Sequence, residues 1–219
     1  MTRPRLLVTG FSAFPGAPRN PTEVLVSALD VRRLARRHDM DLAATILPTE
    51  YAGVVDLLPR LWKDVKPDAV VHFGLHGRAR TVRIETRAAN YMSPIKPDAA
   101  GYSPARTAIE PGGADFRRVT LPTARLVVAL ERAGVPATLS PDAGGYLCNY
   151  AVWTSLARAA DKKRKPLAGF VHLPWPAEES APRAPSGRPN WAALSLAMET
   201  AIAVSAQAVR IRSLGRARH

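Results

Sequence analysis

Short apolar runs alternate with longer amphipathic stretches along this chain, and that alternation predicts strands separated by helices. Arg5 to Gly10 (Arg-Leu-Leu-Val-Thr-Gly) reads as a buried strand. After a Gly/Pro-rich loop, Asn20-Pro21-Thr22-Glu23 opens a helix: Asn20 suits the N-cap, Pro21 the first turn and Glu23 the third helical position of a capping box. The pattern continues with a strand over Asp41 to Leu47, a helix from about Glu50 to Val65 with Pro59 as a kink, and a strand over Ala69 to Phe73. Thr81 to Asn90 reads as a strand with Val82 and Ile84 on one face and Thr81, Arg83 and Glu85 on the other. Tyr91 to Arg118 has little periodicity and much Pro, Gly and Asp, so it reads as a long ordered loop with room for a short hairpin.

The second half repeats the alternation. Thr123 to Ala133 is a helix closed by Gly134, Pro136 to Ser140 a short strand, Tyr146 to Ala160 a helix and Gly169 to His172 a strand. Ala177 to Arg188 forms a second Pro-rich loop, and Asn190 caps a final helix that reaches about Ile211. Strands joined by helices of this length imply βαβ crossovers, hence an α/β fold: a single domain with a mainly parallel twisted sheet and helices on both faces. In such sheets a site gathers at the strands' carboxyl ends. Here those ends are the loops after Gly10, Leu47 and Phe73 and the turn after Val171.

Composition narrows the picture. With 219 residues and 47% apolar content the chain is read as one domain over residues 1–219, its basic C-terminal tail frayed from about residue 212. No run of about 18 apolar residues is visible, and the N-terminal strand is too short for a signal-peptide core, so a cytoplasmic protein is expected, with no membrane partner. The 31 basic against 18 acidic residues give +13, which raises nucleic acid as a partner. The charge, however, sits in Arg32-Arg33, Arg36-Arg37, Lys162 to Lys165 and the tail, without zinc-finger spacing or an aromatic RNA-binding signature. Solvated helix ends account for most of it, and nucleic-acid binding is not expected.

Cys148 is the one cysteine, so it is either inert core or reactive. It follows Gly144-Gly145, where the chain passes from a strand into the first turn of a helix. Unpaired backbone N–H groups and the positive end of the helix dipole favour a thiolate there, and the same N–H groups suit a developing oxyanion. Thiolate attack needs a proton partner. Of the five histidines, His38 and His219 look like surface residues, while Gly74 and Gly77 break any helix that would align His72 with His76 as metal ligands. His172 stands at the carboxyl edge of the strand Gly169 to His172, the rim where Cys148 also emerges; a hydrogen-bonded core histidine is the competing reading. Glu85 suits an imidazole-orienting carboxylate or, alternatively, an ion pair with Arg83 or Arg87.

Four segments together resemble the pyroglutamyl-peptidase I family of cysteine peptidases, also called pyrrolidone-carboxylate peptidases. They are Val8 to Gly16 with Asn20-Pro21, Glu85 to Asn90, Asp142 to Asn149, and Gly169 to Pro174. The resemblance implies a catalytic Glu85, Cys148 and His172, and an apolar slot for a lactam ring built from Phe11, Phe14, Thr49, Tyr146 and Leu147, with Asn20 at a polar pocket position. It also implies thioester chemistry without a metal or organic cofactor, peptides with N-terminal pyroglutamate as substrates, and a homo-oligomer, dimer or tetramer. The chain departs from the family pattern at Pro15, at Leu75 where a Gln is usual, and at Ile95-Lys96-Pro97-Asp98 where Arg-Ile-Pro-Asp is usual. Those departures motivate a rival reading, a related cysteine amidohydrolase with altered small-amide specificity. The net charge motivates another, a non-catalytic basic binding protein on the same fold.

Overall fold

The computed structural model describes residues 3–163, 165–179 and 187–216; Arg164, most of the second Pro-rich loop, Arg218 and His219 lie outside them. Six strands form one sheet in the order β2-β1-β3-β8-β4-β7, with β1 Arg5–Phe11, β2 Asp41–Leu47, β3 Ala69–Leu75, β4 Val82–Glu85, β7 Ala137–Ser140 and β8 Leu167–Leu173. Strands β2, β1, β3 and β8 are parallel, as the crossover helices require, but β4 runs antiparallel to β8 and carries β7 with it. The sheet is therefore mixed at one edge and mainly parallel elsewhere.

Side-chain alternation divides the core into two layers. Leu6, Val8, Val71, Phe73, Ile84, Val171 and Leu173 face one layer, closed by α1 (Pro21–Ser27), α2 (Val31–Arg37), α4 (Thr123–Arg132) and α6 (Trp191–Arg216). Leu7, Phe11, Val70, Ala168 and Phe170 face the other, closed by α3 (Tyr51–Val65) and α5 (Leu147–Ala160). By the same two-residue period, Gly74, His172, Arg83 and Glu85 belong to the α5 layer. That parity puts them on the side of the sheet from which Cys148 approaches.

Local chemistry explains most boundaries. Asn20 caps α1 by accepting from Thr22 N at 3.1 Å, but Glu23 does not complete a capping box: its carboxylate accepts from Ala13 N at 2.7 Å and so ties the β1–α1 loop to the helix. A separate helix, α2, is capped by Asp30, which accepts from Arg33 N at 2.9 Å. Gly134 ends α4 in the left-handed region at φ 76°, and Asn190 caps α6 through Ala193 N at 2.8 Å. Thr81 to Asn90, read as one strand, is broken at Thr86 into β4 and β5 (Arg87–Ala89), and β5 pairs antiparallel with β6 (Phe116–Arg118), so the long loop is closed by a ladder between its two ends and does not hold a hairpin within it. Helix α6 extends five residues past Ile211, to Arg216, and is long and apolar enough to cross a membrane by length and composition. Its inward residues Leu194, Ala197, Met198, Ala201, Ile202 and Ala206 are fully buried in the first layer, the position of a core helix.

Candidate active site

Three side chains from distant parts of the chain meet on the α5 side of the sheet. His172 sits one residue before the end of β8, flanked in register by Gly74 of β3 and Arg83 of β4. Glu85 is diagonal to it, and its Oε1 accepts from His172 Nδ1 at 2.8 Å with both side chains buried. Gly74 leaves the gap through which Cys148 reaches the imidazole. A Cβ built on Gly74 would stand 2.5 Å from the Phe170 ring and 2.9 Å from Cys148 Sγ, so any side chain there would displace the thiol.

Cys148 is the second residue of α5 and is partly exposed. The helix has no side-chain cap at Tyr146, which leaves its first-turn N–H groups directed at the site. Asn149, fully buried, fixes this helix start against the long loop: its side chain accepts from Ala89 N at 2.8 Å and donates to Ala89 O at 2.7 Å and to Tyr91 O at 2.9 Å. Ser93 N donating to Gly145 O at 2.7 Å adds a second tie.

Electrostatics separates the histidines. Burial alone would lower the pKa of His172, but the charge and hydrogen bond of Cys148, followed by those of Glu85, raise it from 6.5 to about 9. His172 is thus held as an imidazolium beside the thiol. His76 packs edge-on against it, ring centroids 5.4 Å apart, and is pushed toward the neutral form by burial and by the positive charges of His172 and Arg83. His72 is a packing residue: it is fully buried, bonded to Thr9 Oγ1 at 2.7 Å and Ser155 Oγ at 2.8 Å, and burial lowers its pKa to about 3. Both ring nitrogens are occupied by hydroxyls. His38, in part exposed, lies far along the fold at the end of α2.

A pocket adjoins the thiol, lined by Phe11, Phe14, Asn20, Thr49, Tyr146 and Leu147, and all six residues inferred for a lactam slot are in it together with Cys148. Leu75 and Lys96, two of the three departures from the family pattern, complete the lining. The Tyr146 phenol is kept neutral, its pKa raised to about 12 by burial and by the negative charges of Asp98 and Cys148. The polar groups Asn20 and Thr49 are largely committed elsewhere: Asn20 Nδ2 donates to Ser12 O at 3.1 Å and Thr49 Oγ1 to the same carbonyl at 2.7 Å. Capping and loop closure thus account for both.

Two contributors escape a reading by motif alone. Arg83, read from the sequence as an ion-pair partner of Glu85, does approach it, Nε to Oε1 at 3.7 Å, but also faces His172 across the strands and bonds Ser140 Oγ at 2.6 Å. Gly74 has no signal beyond being a glycine near a strand end. The basic residues Arg5, Lys63, Lys66, Arg158, Lys162 and Lys163 gather instead around a cleft at the amino ends of β1, β3 and β8, away from Cys148. Among the described residues no group of three or more His, Cys, Asp or Glu side chains is arranged to hold a metal ion.

Comparison with known proteins gives a consistent result. A family model described as pyroglutamyl peptidase matches residues 4–213. The chain is 36% identical over 199 residues to a pyrrolidone-carboxylate peptidase of Thermococcus onnurineus, covering 90% of this chain and 93% of that protein. It is 33% identical to the enzyme of that name from Pyrococcus furiosus, covering 80% and 83%. The pyrrolidone carboxyl peptidase structure from Thermococcus litoralis superposes with a TM-score of 0.83 at 29% identity, covering 91% and 92% of the two chains. Pyroglutamyl peptidase I of Bacillus amyloliquefaciens gives 0.84 at 25% identity, covering 92% and 96%.

Proposed function

Because this chain belongs to the pyroglutamyl peptidase family, we propose that Cys148, His172 and Glu85 are its nucleophile, proton carrier and orienting carboxylate. The protein is a cysteine peptidase of the pyroglutamyl-peptidase I type and hydrolyses the amide bond after an N-terminal pyroglutamyl residue. The observation that carries the residue assignment is the buried Glu85–His172 pair at 2.8 Å beside Cys148 at the open head of α5.

In this reading the Cys148 thiolate attacks the pyroglutamyl carbonyl carbon. The oxyanion is held by first-turn N–H groups of α5, where the partial positive charge of the helix end is concentrated. His172 gives its proton to the leaving amine, the C–N bond breaks and a thioester remains. Water then attacks the thioester, its proton returning to His172 and its oxygen to the acyl carbon; pyroglutamate leaves and the thiolate is regenerated. Glu85 holds Nδ1 so that Nε2 faces the sulfur, and it stabilises the imidazolium that exists before the leaving amine is protonated and again once water has attacked the thioester. Phe11, Phe14, Tyr146 and Leu147 enclose the flat ring, with Thr49 and Asn20 fixing the wall behind it.

The same reading carries a homo-oligomer, dimer or tetramer, in the cytoplasm. Val128 of α4 and Leu139 of the edge strand β7 are 46% and 52% exposed on elements that adjoin, and a second copy would cover them. Hydrolysis of a pyroglutamyl fluorogenic amide, with Cys148→Ala as control, tests the assignment. Turnover by the native chain and none by the variant is expected; equal turnover by both would remove Cys148 from the chemistry.

A further inference from the structure

The pocket beside Cys148 is walled mainly by apolar and aromatic side chains, and the Lys96 cation reaches into it. Lys96 Nζ lies 4.4 Å from the centre of the Tyr146 ring and 5.4 Å from that of Phe14, the two rings assigned above to the lactam. The ammonium makes no hydrogen bond or ion pair among the described residues. Its backbone, in contrast, is firmly placed. Tyr146 OH donates to Pro97 O at 3.2 Å, Ala99 N donates to Thr49 O at 2.9 Å, and the buried Asp98 carboxylate accepts from Tyr51 N, Ala100 N and Tyr102 N at 2.8, 3.0 and 2.9 Å. The loop thus delivers a flexible cation to a fixed point at the pocket mouth.

We propose that Lys96 is a specificity residue of this site: its ammonium donates a hydrogen bond to the ring carbonyl of the bound pyroglutamyl residue. The proposal rests on the functional reading above and assigns a role within it. A lactam carbonyl entering this pocket leaves water, and an unpartnered buried acceptor is costly. Leu75 offers no donor, the Thr49 hydroxyl is given to Ser12 O, and one N–H of the Asn20 amide goes to that same carbonyl. Besides the second N–H of Asn20, Lys96 is the donor of the lining left uncommitted, and a charged donor makes a stronger bond than a neutral one. The free space beside Lys96 is about 50 Å³, against about 300 Å³ or more in a typical small-molecule pocket, so an entering ring must move the lysine off the aromatic faces. A lysine side chain, with its flexible four-carbon stem, moves readily.

The same cation rejects the nearest analogue. A prolyl residue has the same five-membered ring, but its ring carbon bears no carbonyl and its nitrogen is a secondary amine that is largely protonated at neutral pH, as terminal amines are. Such a ring offers Lys96 no acceptor and meets it with like charge. The discrimination therefore acts twice, through a bond gained by one substrate and a repulsion felt by the other.

Specificity constants for pyroglutamyl and prolyl fluorogenic amides, measured on the native chain and on Lys96→Met and Lys96→Arg, test this. Lys96→Met keeps the stem and removes the charge. It should lower kcat/KM for the pyroglutamyl amide by about thirtyfold, mainly through KM, and raise it for the prolyl amide by about threefold; Lys96→Arg should stay within about threefold of the native chain. Labelling of Cys148 by iodoacetamide, at equal stoichiometry in all three proteins, reports that the site is intact. An unchanged substrate ratio in Lys96→Met, a parallel fall for both substrates, or a rise in pyroglutamyl turnover, which would mean that Lys96 merely obstructs the pocket, would each overturn the proposal while leaving the functional reading in place. A native chain that cleaves neither amide would overturn that reading, and the role of Lys96 with it.

Discussion

His72 and His172 stand on neighbouring strands, face the same layer and are both shielded from solvent, yet their surroundings hold them in opposite charge states. Around His72 there are hydroxyls only, from Thr9 and Ser155, so desolvation acts unopposed and lowers its pKa to about 3. Around His172 the desolvation is outweighed by a thiol and a carboxylate, and its pKa rises to about 9. Burial does not decide what a histidine does. Its partners do: two hydroxyls make a packing residue, and a thiol with a carboxylate makes an acid.

The largest effect that would break this comparison is functional. His172→Ala should lower kcat for a pyroglutamyl amide by about four decades, whereas His72→Ala should leave the surviving folded protein active within about tenfold while losing about 2 to 3 kcal/mol of stability. Comparable losses of kcat in the two variants would erase the distinction. Denaturant melts run beside the assay separate the two kinds of damage.

Next in size is the dependence of stability on pH. The folded pKa of His72, about 3, lies below its unfolded 6.5, so between them the unfolded chain binds the extra proton and stability is lost as pH falls, by up to about 4 to 5 kcal/mol. The folded pKa of His172, about 9, lies above 6.5; its contribution is complete below pH 6.5 and is lost as pH rises to about 9, by up to about 3 kcal/mol. Calorimetry from pH 3 to 9 should therefore trace a dome. His72→Gln should flatten its acid limb and Cys148→Ala its alkaline limb, and a variant that flattens the wrong limb would reverse the assignment of charge states.

Smaller effects sharpen the picture around His172. Glu85→Gln keeps a hydrogen-bonding side chain but removes the charge, and should cost about two decades in kcat with the alkaline fall in stability moved to lower pH. Kinetics and melts on that one variant would show whether both changes occur. Gly74→Ala adds a methyl 2.9 Å from Sγ and 2.5 Å from the Phe170 ring, and should cost about tenfold in kcat/KM with about 1 to 3 kcal/mol of overpacking. Full activity in Gly74→Ala would mean that the thiol tolerates displacement.

Much of this arrangement was legible in the sequence because it depends on local periodicity. The alternation of Val82 and Ile84 against Arg83 and Glu85 placed Glu85 on one face, and that is the face His172 shares. Asn20, Gly134 and Asn190 marked helix ends through capping chemistry that needs only adjacent residues. What was not legible depends on contacts between distant segments. The reversed direction of β4 follows from pairing with β8, whose register no local pattern encodes. Glu23 looked like half of a capping box, but Ala13 N, ten residues back, is the donor it meets. Lys96 lies in an aperiodic loop, and its place over Tyr146 and Phe14 is set by what Asp98 and Pro97 bind on other elements.

The single sulfhydryl has a further consequence, for the chain's redox life. Cys148 is partly exposed, and no second thiol exists in the sequence to condense with it once it is oxidised to a sulfenic acid. Most sensor cysteines sit near a resolving partner that traps this first product as a disulfide and returns it to the reduced state. Here recovery must come from outside, from a small reductant that reaches the pocket mouth past Lys96, and oxidation beyond the sulfenic stage is permanent. A preparation of this protein therefore keeps a record of its exposure to oxidants, written in one atom, of which added thiol erases only the sulfenic stage.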